Sequence, residues 1–274
     1  MRQPHGFLRV MRQQVREMQA VASFGSRLRQ GLLRAGSSGR KFQWRQFNWA
    51  QFVLLSAVCV LAGGLFAFAS IMDEVGEGET HAFDEAVLLA LRNPADRADP
   101  IGPQWLEIMF RDYTSLGSHA VLGLIGLLAF GYLVLQRKML SAGMLAFSFA
   151  GGMVLNSLLK LSFDRARPDL VAHLVEVHTA SFPSGHAMLS AVCYLTLGTL
   201  LAGVAEQRRY KVYILSAAIG LMVLVGSSRV YLGVHWPTDV LAGWCLGAAW
   251  AMACWLAVRA ILLWRNRRIG RRDG

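Results

Sequence analysis

Six apolar runs, each near the length that a bilayer demands, constrain this chain more than anything else in it. A helix needs about 20 predominantly apolar residues to cross the hydrocarbon core. Runs of that kind fall at 52–72, 119–135, 139–161, 187–205, 212–230 and 240–264. The second is the shortest, and its start is open. A composition of 54% hydrophobic against 16% charged residues lies outside the range of ordinary globular chains. The expected fold class is therefore all-α: an integral membrane bundle of six transmembrane helices with short extracytoplasmic helices.

The net charge of +11 raises two classes of partner, nucleic acid and an anionic membrane surface. Its distribution separates them. Basic residues gather in 1–45, at Arg137-Lys138, at Arg208-Arg209 with Lys211, and from Arg265 to Arg272, each group flanking an apolar run. If the N-terminal segment is cytoplasmic, six alternating crossings put every one of these groups on the cytoplasmic side. That is the positive-inside pattern, with both termini inside and a multi-pass cell-membrane location. Nucleic acid loses its support as a partner, and membrane lipids gain it.

Three parts follow: a basic cytoplasmic segment over 1–50, a six-helix transmembrane domain over 51–264, and a basic cytoplasmic tail over 265–274. The first segment is too long and too basic ahead of its apolar run to read as a cleavable signal peptide. The first span reads instead as a retained signal anchor, and the segment before it as a solvated tail rather than a surface helix. Cys59, Cys193, Cys245 and Cys254 all lie inside apolar runs without disulfide or zinc spacing, so they read as packed or lipid-facing residues.

The longest outer connection, 73–118, opens with Glu74, Glu77 and Glu79. Phe83, Ala86, Val87, Ala90 and Leu91 then recur at helical spacing until Asn93-Pro94 stops them, which predicts an amphipathic helix on the membrane or the bundle. A second short helix is expected around 105–110, after Gly102-Pro103. Both are expected to form a packed lid, with a lipid entrance as the other reading.

On the same outer face the topology gathers Lys160, Arg167, Ser184, Gly185, His186, Arg229, His235 and Asp239. Ionisable residues at membrane depth are costly and by default mark function. Each alone has an ordinary explanation. Lys160 can snorkel from a helix end, Arg167 can be a loop cation before Pro168, and Arg229 can anchor a span at the head groups. Ser184 can be a plain helix N-cap. Three converging cations without a matching row of carboxylates nevertheless suggest an anion between them. Phosphate suits guanidinium forks and an ammonium, and free N–H groups at the Ser184-Gly185 helix start suit it as well.

His235 and Asp239, four apart, share a face if helical, so the carboxylate can fix the imidazole tautomer. His235 then reads as a nucleophile toward phosphorus, and His186 as the acid that protonates the leaving oxygen and the base that later activates water. A zinc site is the competing reading, and three nearby cations would repel a divalent ion. The expected cofactor requirement is none, with no metal.

Lys160-x6-Arg167-Pro168, Pro183-Ser184-Gly185-His186 and Ser228-Arg229-x5-His235-x3-Asp239 together resemble, without departure, the tripartite signature of the type 2 phosphatidic acid phosphatase superfamily. The signature spans 160–239. The resemblance implies a helical bundle and metal-independent removal of phosphate through a phosphohistidine. It assigns phosphate binding to Lys160, Arg167 and Arg229 with Ser184 and Gly185 assisting, acid–base work to His186, nucleophilic attack to His235 and its orientation to Asp239. The substrate class it implies is a lipid phosphate or diphosphate at the extracytoplasmic face. Undecaprenyl pyrophosphate is the first expectation, and phosphatidylglycerol phosphate, phosphatidate and lipid A phosphates, hydrolysed or transferred, are the alternatives.

Two other classes stand beside this one. A vanadate-dependent haloperoxidase has a similar anion site but is typically not a six-span membrane protein. A non-enzymatic lipid-binding protein would need the cations but not His235 paired with Asp239. Between the motifs, Asp164 with Arg165 adds a charge pair, and His173, Glu176 and His178 face a second phosphate or, as expected, water. Of the tryptophans at 236, 244, 250, 255 and 264, only Trp236 is a candidate for substrate contact. Gly243 and Gly247 predict close helix packing.

Overall fold

The computed structural model describes residues 49–176 and 179–270. The elements run α1 (Trp49–Glu77), α2 (His81–Ala90), β1 (Arg92–Asn93), β2 (Asp96–Pro100), α3 (Gln104–Ser115), α4 (His119–Leu135), α5 (Met139–Ser162), α6 (Gly185–Val204), α7 (Arg208–Tyr231) and α8 (Pro237–Gly270). The basic N-terminal segment up to 48, His178 and the last four residues of the tail lie outside the described residues. The chain divides into two compact units, 1–59 with 256–274, and 60–255. In the first, the Arg268 guanidinium stacks over the Trp264 ring at 3.9 Å. The second holds every residue of the three motifs.

Five helices, α1, α5, α6, α7 and α8, are each long and apolar enough to cross a membrane. The remaining expected span, 119–135, forms the helix α4 with those bounds. At 1.5 Å per residue its 17 residues reach only about 25 Å. It meets the spanning criterion only together with α3, from which it is bent by 48°. Ser118 fixes its start as an N-cap, the hydroxyl accepting from the Val121 amide at 3.2 Å.

The helix α6 is the hub. Two-thirds of its apolar stretch (67%) is buried, against 11% for α1, and it packs along α4, α5 and α7. Its buried polar groups are satisfied sideways, as Thr196 does with the Ser148 hydroxyl of α5 at 2.9 Å. Its seam with α8 depends on the glycines. A Cβ on Gly243 would lie 2.8 Å from the Ser184 carbonyl oxygen, and one on Gly247 2.5 Å from that of Met188. The expected close approach is present, and only glycine permits it. Gly247→Ala should cost roughly 1–3 kcal/mol through overpacking, seen as a lower Tm in detergent. Gly63→Ala, at a position with nothing within 4 Å of the added carbon, should leave Tm in place.

The outer connection departs from expectation. The helix α2 forms, but Phe83, Ala86 and Ala90 face outward, while Asp84 and Leu88 are fully buried. Asp84 turns the helix because its carboxylate has buried partners and an apolar stripe can equally well face lipid. After it comes an antiparallel hairpin, β1 with β2, that the apolar pattern did not foretell. The second helix, α3, is longer than expected, and its Thr114 is buried beside Arg229.

Candidate active site

Asp239 occupies the third position of α8, after Pro237 at the first, where a fixed φ suits the helix start. Its Oδ2 accepts the Trp236 backbone N–H at 3.0 Å, half of a capping box. The same oxygen lies 3.3 Å from His235 Nδ1 and accepts the Ser181 hydroxyl in a short bond. One carboxylate thus starts the helix and fixes the imidazole. His235 itself, only 2% exposed, sits in the tight turn between α7 and α8, where Gly233 takes a φ of 75°.

The other imidazole nitrogen, Nε2, faces Arg167 Nη1 at 3.3 Å. Arg167 is held by carbonyls and a hydroxyl: Nε donates to Thr179 O at 2.8 Å, Nη1 to Val234 O at 2.5 Å and Nη2 to Thr179 Oγ1 at 3.2 Å. Lys160 Nζ, at the end of α5, donates to the same Thr179 Oγ1 at 3.1 Å and to Ala180 O at 2.7 Å. Arg229, in the last turn of α7, donates from Nη1 to Thr114 Oγ1 at 2.9 Å, and its buried Nε has no partner. Among the described residues, none of the three cations is paired with a carboxylate.

Ser184 caps α6, its hydroxyl 3.5 Å from the Ala187 amide, and its own amide donates to Asp239 O at 3.0 Å. The amides of Gly185 and His186 open the helix and have no carbonyl of their own helix to reach. The His186 ring lies edge-on to His119, centroids 6.5 Å apart, and within electrostatic reach of Arg229, His235 and Lys160. All eight residues expected at the site are therefore brought to one place by α5, α6, α7, α8 and the loops between them.

Burial pushes the His235 pKa down to about 3 from the ordinary 6.5, against the pull of Asp239 and with the push of Arg167 and Arg229. The ring is neutral near pH 7, with its Nδ1 proton directed at the carboxylate and the Nε2 lone pair toward the cations. Burial also lowers the Arg167 pKa, and Asp239 opposes that shift.

The sequence pattern matches the PAP2 superfamily over residues 141–262. Phosphatidylglycerophosphatase B of Bacillus subtilis is 38% identical over 147 residues, covering 52% of this chain and 70% of that protein. The chain belongs to the PAP2 superfamily. It is a multi-pass membrane protein and a phosphatase that hydrolyses phosphate esters. The crystal structure of a transmembrane PAP2-type phosphatidylglycerolphosphate phosphatase from the same bacterium superposes with a TM-score of 0.59 at 30% identity. That match covers 72% of this chain and 93% of the other. A shorter match, 46% identical over 68 residues, is to an undecaprenyl-diphosphatase of Sulfolobus acidocaldarius, covering 25% of this chain and 29% of that protein.

Several PAP2 site neighbours escaped the motif reading. Arg165, expected as a solvated partner of Asp164, instead donates to Asp239 Oδ1 at 2.6 Å and to Asp84 Oδ2 at 2.7 Å. Ser181 bonds the Asp239 carboxylate three residues before the N-cap. Trp236 is packed rather than open to substrate, its indole donating to Ala166 O at 3.0 Å. Trp244 and Trp250 likewise donate into neighbouring helices, at 3.0 Å and 2.9 Å, and are packing residues. His173 faces the Pro168 carbonyl at 2.6 Å, and Glu176 is exposed.

Proposed function

We propose that this PAP2 protein dephosphorylates a lipid phosphate through a phosphohistidine on His235, without a metal, at the extracytoplasmic face. One observation carries the reading: the two imidazole nitrogens face opposite charges, Nδ1 toward Asp239 and Nε2 toward Arg167. A phosphoryl group drawn between Lys160, Arg167 and Arg229 meets the Nε2 lone pair. As the N–P bond forms, the P–O bond to the lipid breaks, and His186 gives its proton to the departing oxygen. Water then attacks phosphorus, His186 takes the water's proton, and the P–N bond breaks to release phosphate. The positive charge that grows on His235 during attack is met by Asp239, and the negative charge on the equatorial oxygens by the three cations and the first amides of α6.

The extracytoplasmic assignment is supported by charge. Arg137-Lys138 and Arg208-Arg209 lie at the starts of α5 and α7, while Lys160 and Arg229 lie at their other ends. Phosphatidylglycerol phosphate leads as substrate, because the relative of that activity aligns over most of its length. Undecaprenyl pyrophosphate, the expectation from sequence, follows on the shorter but more identical match.

Phosphate release from a panel of the two lipids, phosphatidate and lipid A, measured in detergent with and without a chelator, tests the metal-free route and the substrate order together. Turnover should persist undiminished with the chelator and be highest on phosphatidylglycerol phosphate. Loss of activity with the chelator would contradict the metal-free route, and a preference for the diphosphate would reverse the substrate order.

A further inference from the structure

The helix α2 lies outside the three motifs, yet it places a fully buried carboxylate against the site. Asp84 Oδ1 accepts the Thr238 amide at 2.9 Å, and Oδ2 accepts the Thr238 hydroxyl at 2.6 Å. Arg165 lies between two acids, Nη2 on Asp84 at 2.7 Å and Nη1 on Asp239 at 2.6 Å, and also donates to Thr238 Oγ1 at 2.9 Å and Thr80 Oγ1 at 3.0 Å. Both acids are wholly buried, and the Arg165 side chain is only 11% exposed. Its guanidinium also lies over the Trp236 ring at 5.7 Å.

The contrast with the other cations is chemical. Lys160, Arg167 and Arg229 end on carbonyls and hydroxyls and keep their charge for an anion, whereas the charge of Arg165 is taken up by two carboxylates. A buried cation held in that way is unsuited to binding phosphate. What it can do is hold Asp239: Arg165 occupies Oδ1, while Ser181, the Trp236 amide and His235 share Oδ2. The carboxylate is saturated and cannot rotate. Asp84 completes the arrangement, because a guanidinium left with Asp239 alone would draw that carboxylate's charge away from His235.

We propose that Asp84, Arg165 and Thr238 are positioning residues that hold Asp239 against His235, making the outer helix α2 a working part of the site instead of a lid. This rests on His235 being the nucleophile. His235 is faced by Arg167 from the loop after α5, by Arg229 from α7, by His186 from α6 and by Asp239 from α8. Removing the negative charge of Asp84 leaves the cationic side of this set less balanced. Protonation of His235 is then disfavoured, and so is the charge that develops on it during attack.

The test compares Asp84→Asn, Thr238→Val and Arg165→Lys with wild type in phosphate release across pH and in alkali-quenched trapping of labelled phosphoenzyme. Asp84→Asn should lower kcat about 10- to 100-fold, the usual scale for a residue that orients another. KM should be held, and the acid limb of the kcat profile should move to lower pH. Arg165→Lys, whose compact charge cannot bridge both acids, should lower kcat likewise, and Thr238→Val should do so less. A purely structural role would reduce the active fraction and leave the limb where it is. If Asp84→Asn does not fold, Thr238→Val, which deletes one hydroxyl, decides between the two roles. Wild-type kcat and limb in the variants overturn the proposal, provided that His235→Ala is free of label. Label retained in His235→Ala would instead overturn the nucleophile assignment.

Discussion

Alanine in place of His235 should abolish phosphate release, by about 10⁴-fold or more, since removal of a covalent nucleophile leaves only binding and charge stabilisation. The measurement is phosphate liberated from the preferred lipid, together with alkali-stable label on the protein after a rapid quench. Wild type should carry label and the variant none. The effect is large because no neighbour can substitute. Among the described residues that contact the Asp239 carboxylate, His235 alone offers an imidazole, and its Nε2 alone faces Arg167. Binding of the lipid should survive, because Lys160, Arg167 and Arg229 depend on Thr179, Ala180, Val234 and Thr114 for their placement. Undiminished turnover in this variant would remove the nucleophile from the scheme.

His186→Ala should divide the reaction in two. On a lipid substrate, turnover should fall by about 10²- to 10⁴-fold, the range for loss of a general acid and base. On a nitrophenyl phosphate, whose leaving oxygen needs no proton, the first step should still proceed and the second should stall. The expected record is a burst of nitrophenol equivalent to the enzyme present, followed by a slow phase, with label persisting on His235. Linear release without accumulated label would show that another group activates the water. His119, edge-on to His186, would then be the first place to look.

Much of this architecture is legible because membrane helices and phosphate sites both write themselves into local sequence. The ends of α4 and the start of α5 fall where the apolar runs break, at Ser118 and at Arg137-Lys138. The motif residues stand together because each is tied to a helix end. The parts that are not legible share a cause: they are long-range polar pairings that no periodicity announces. Arg165 has Asp164 as its neighbour in sequence, but its partners lie 81 and 74 positions away. Asp84 sits on the polar side of a stripe that faces outward in the fold, yet its spacing of four from Leu88 is a usable sign that an acid shares the buried face. The hairpin after α2 carries no alternation at all in Asp96–Pro100, so apolar pattern has nothing to report.

The glycine seam between α6 and α8 bears on how a lipid gets in. With Gly243 and Gly247 bringing backbone against backbone, and the Ser184 amide bonded to the Asp239 carbonyl, the two histidine-bearing helix starts act as one fixed jaw. No acyl chain can slide through that side without dismantling the catalytic pair. Substrate range can therefore be altered by redesigning the opposite walls, while the jaw that performs the chemistry is left untouched.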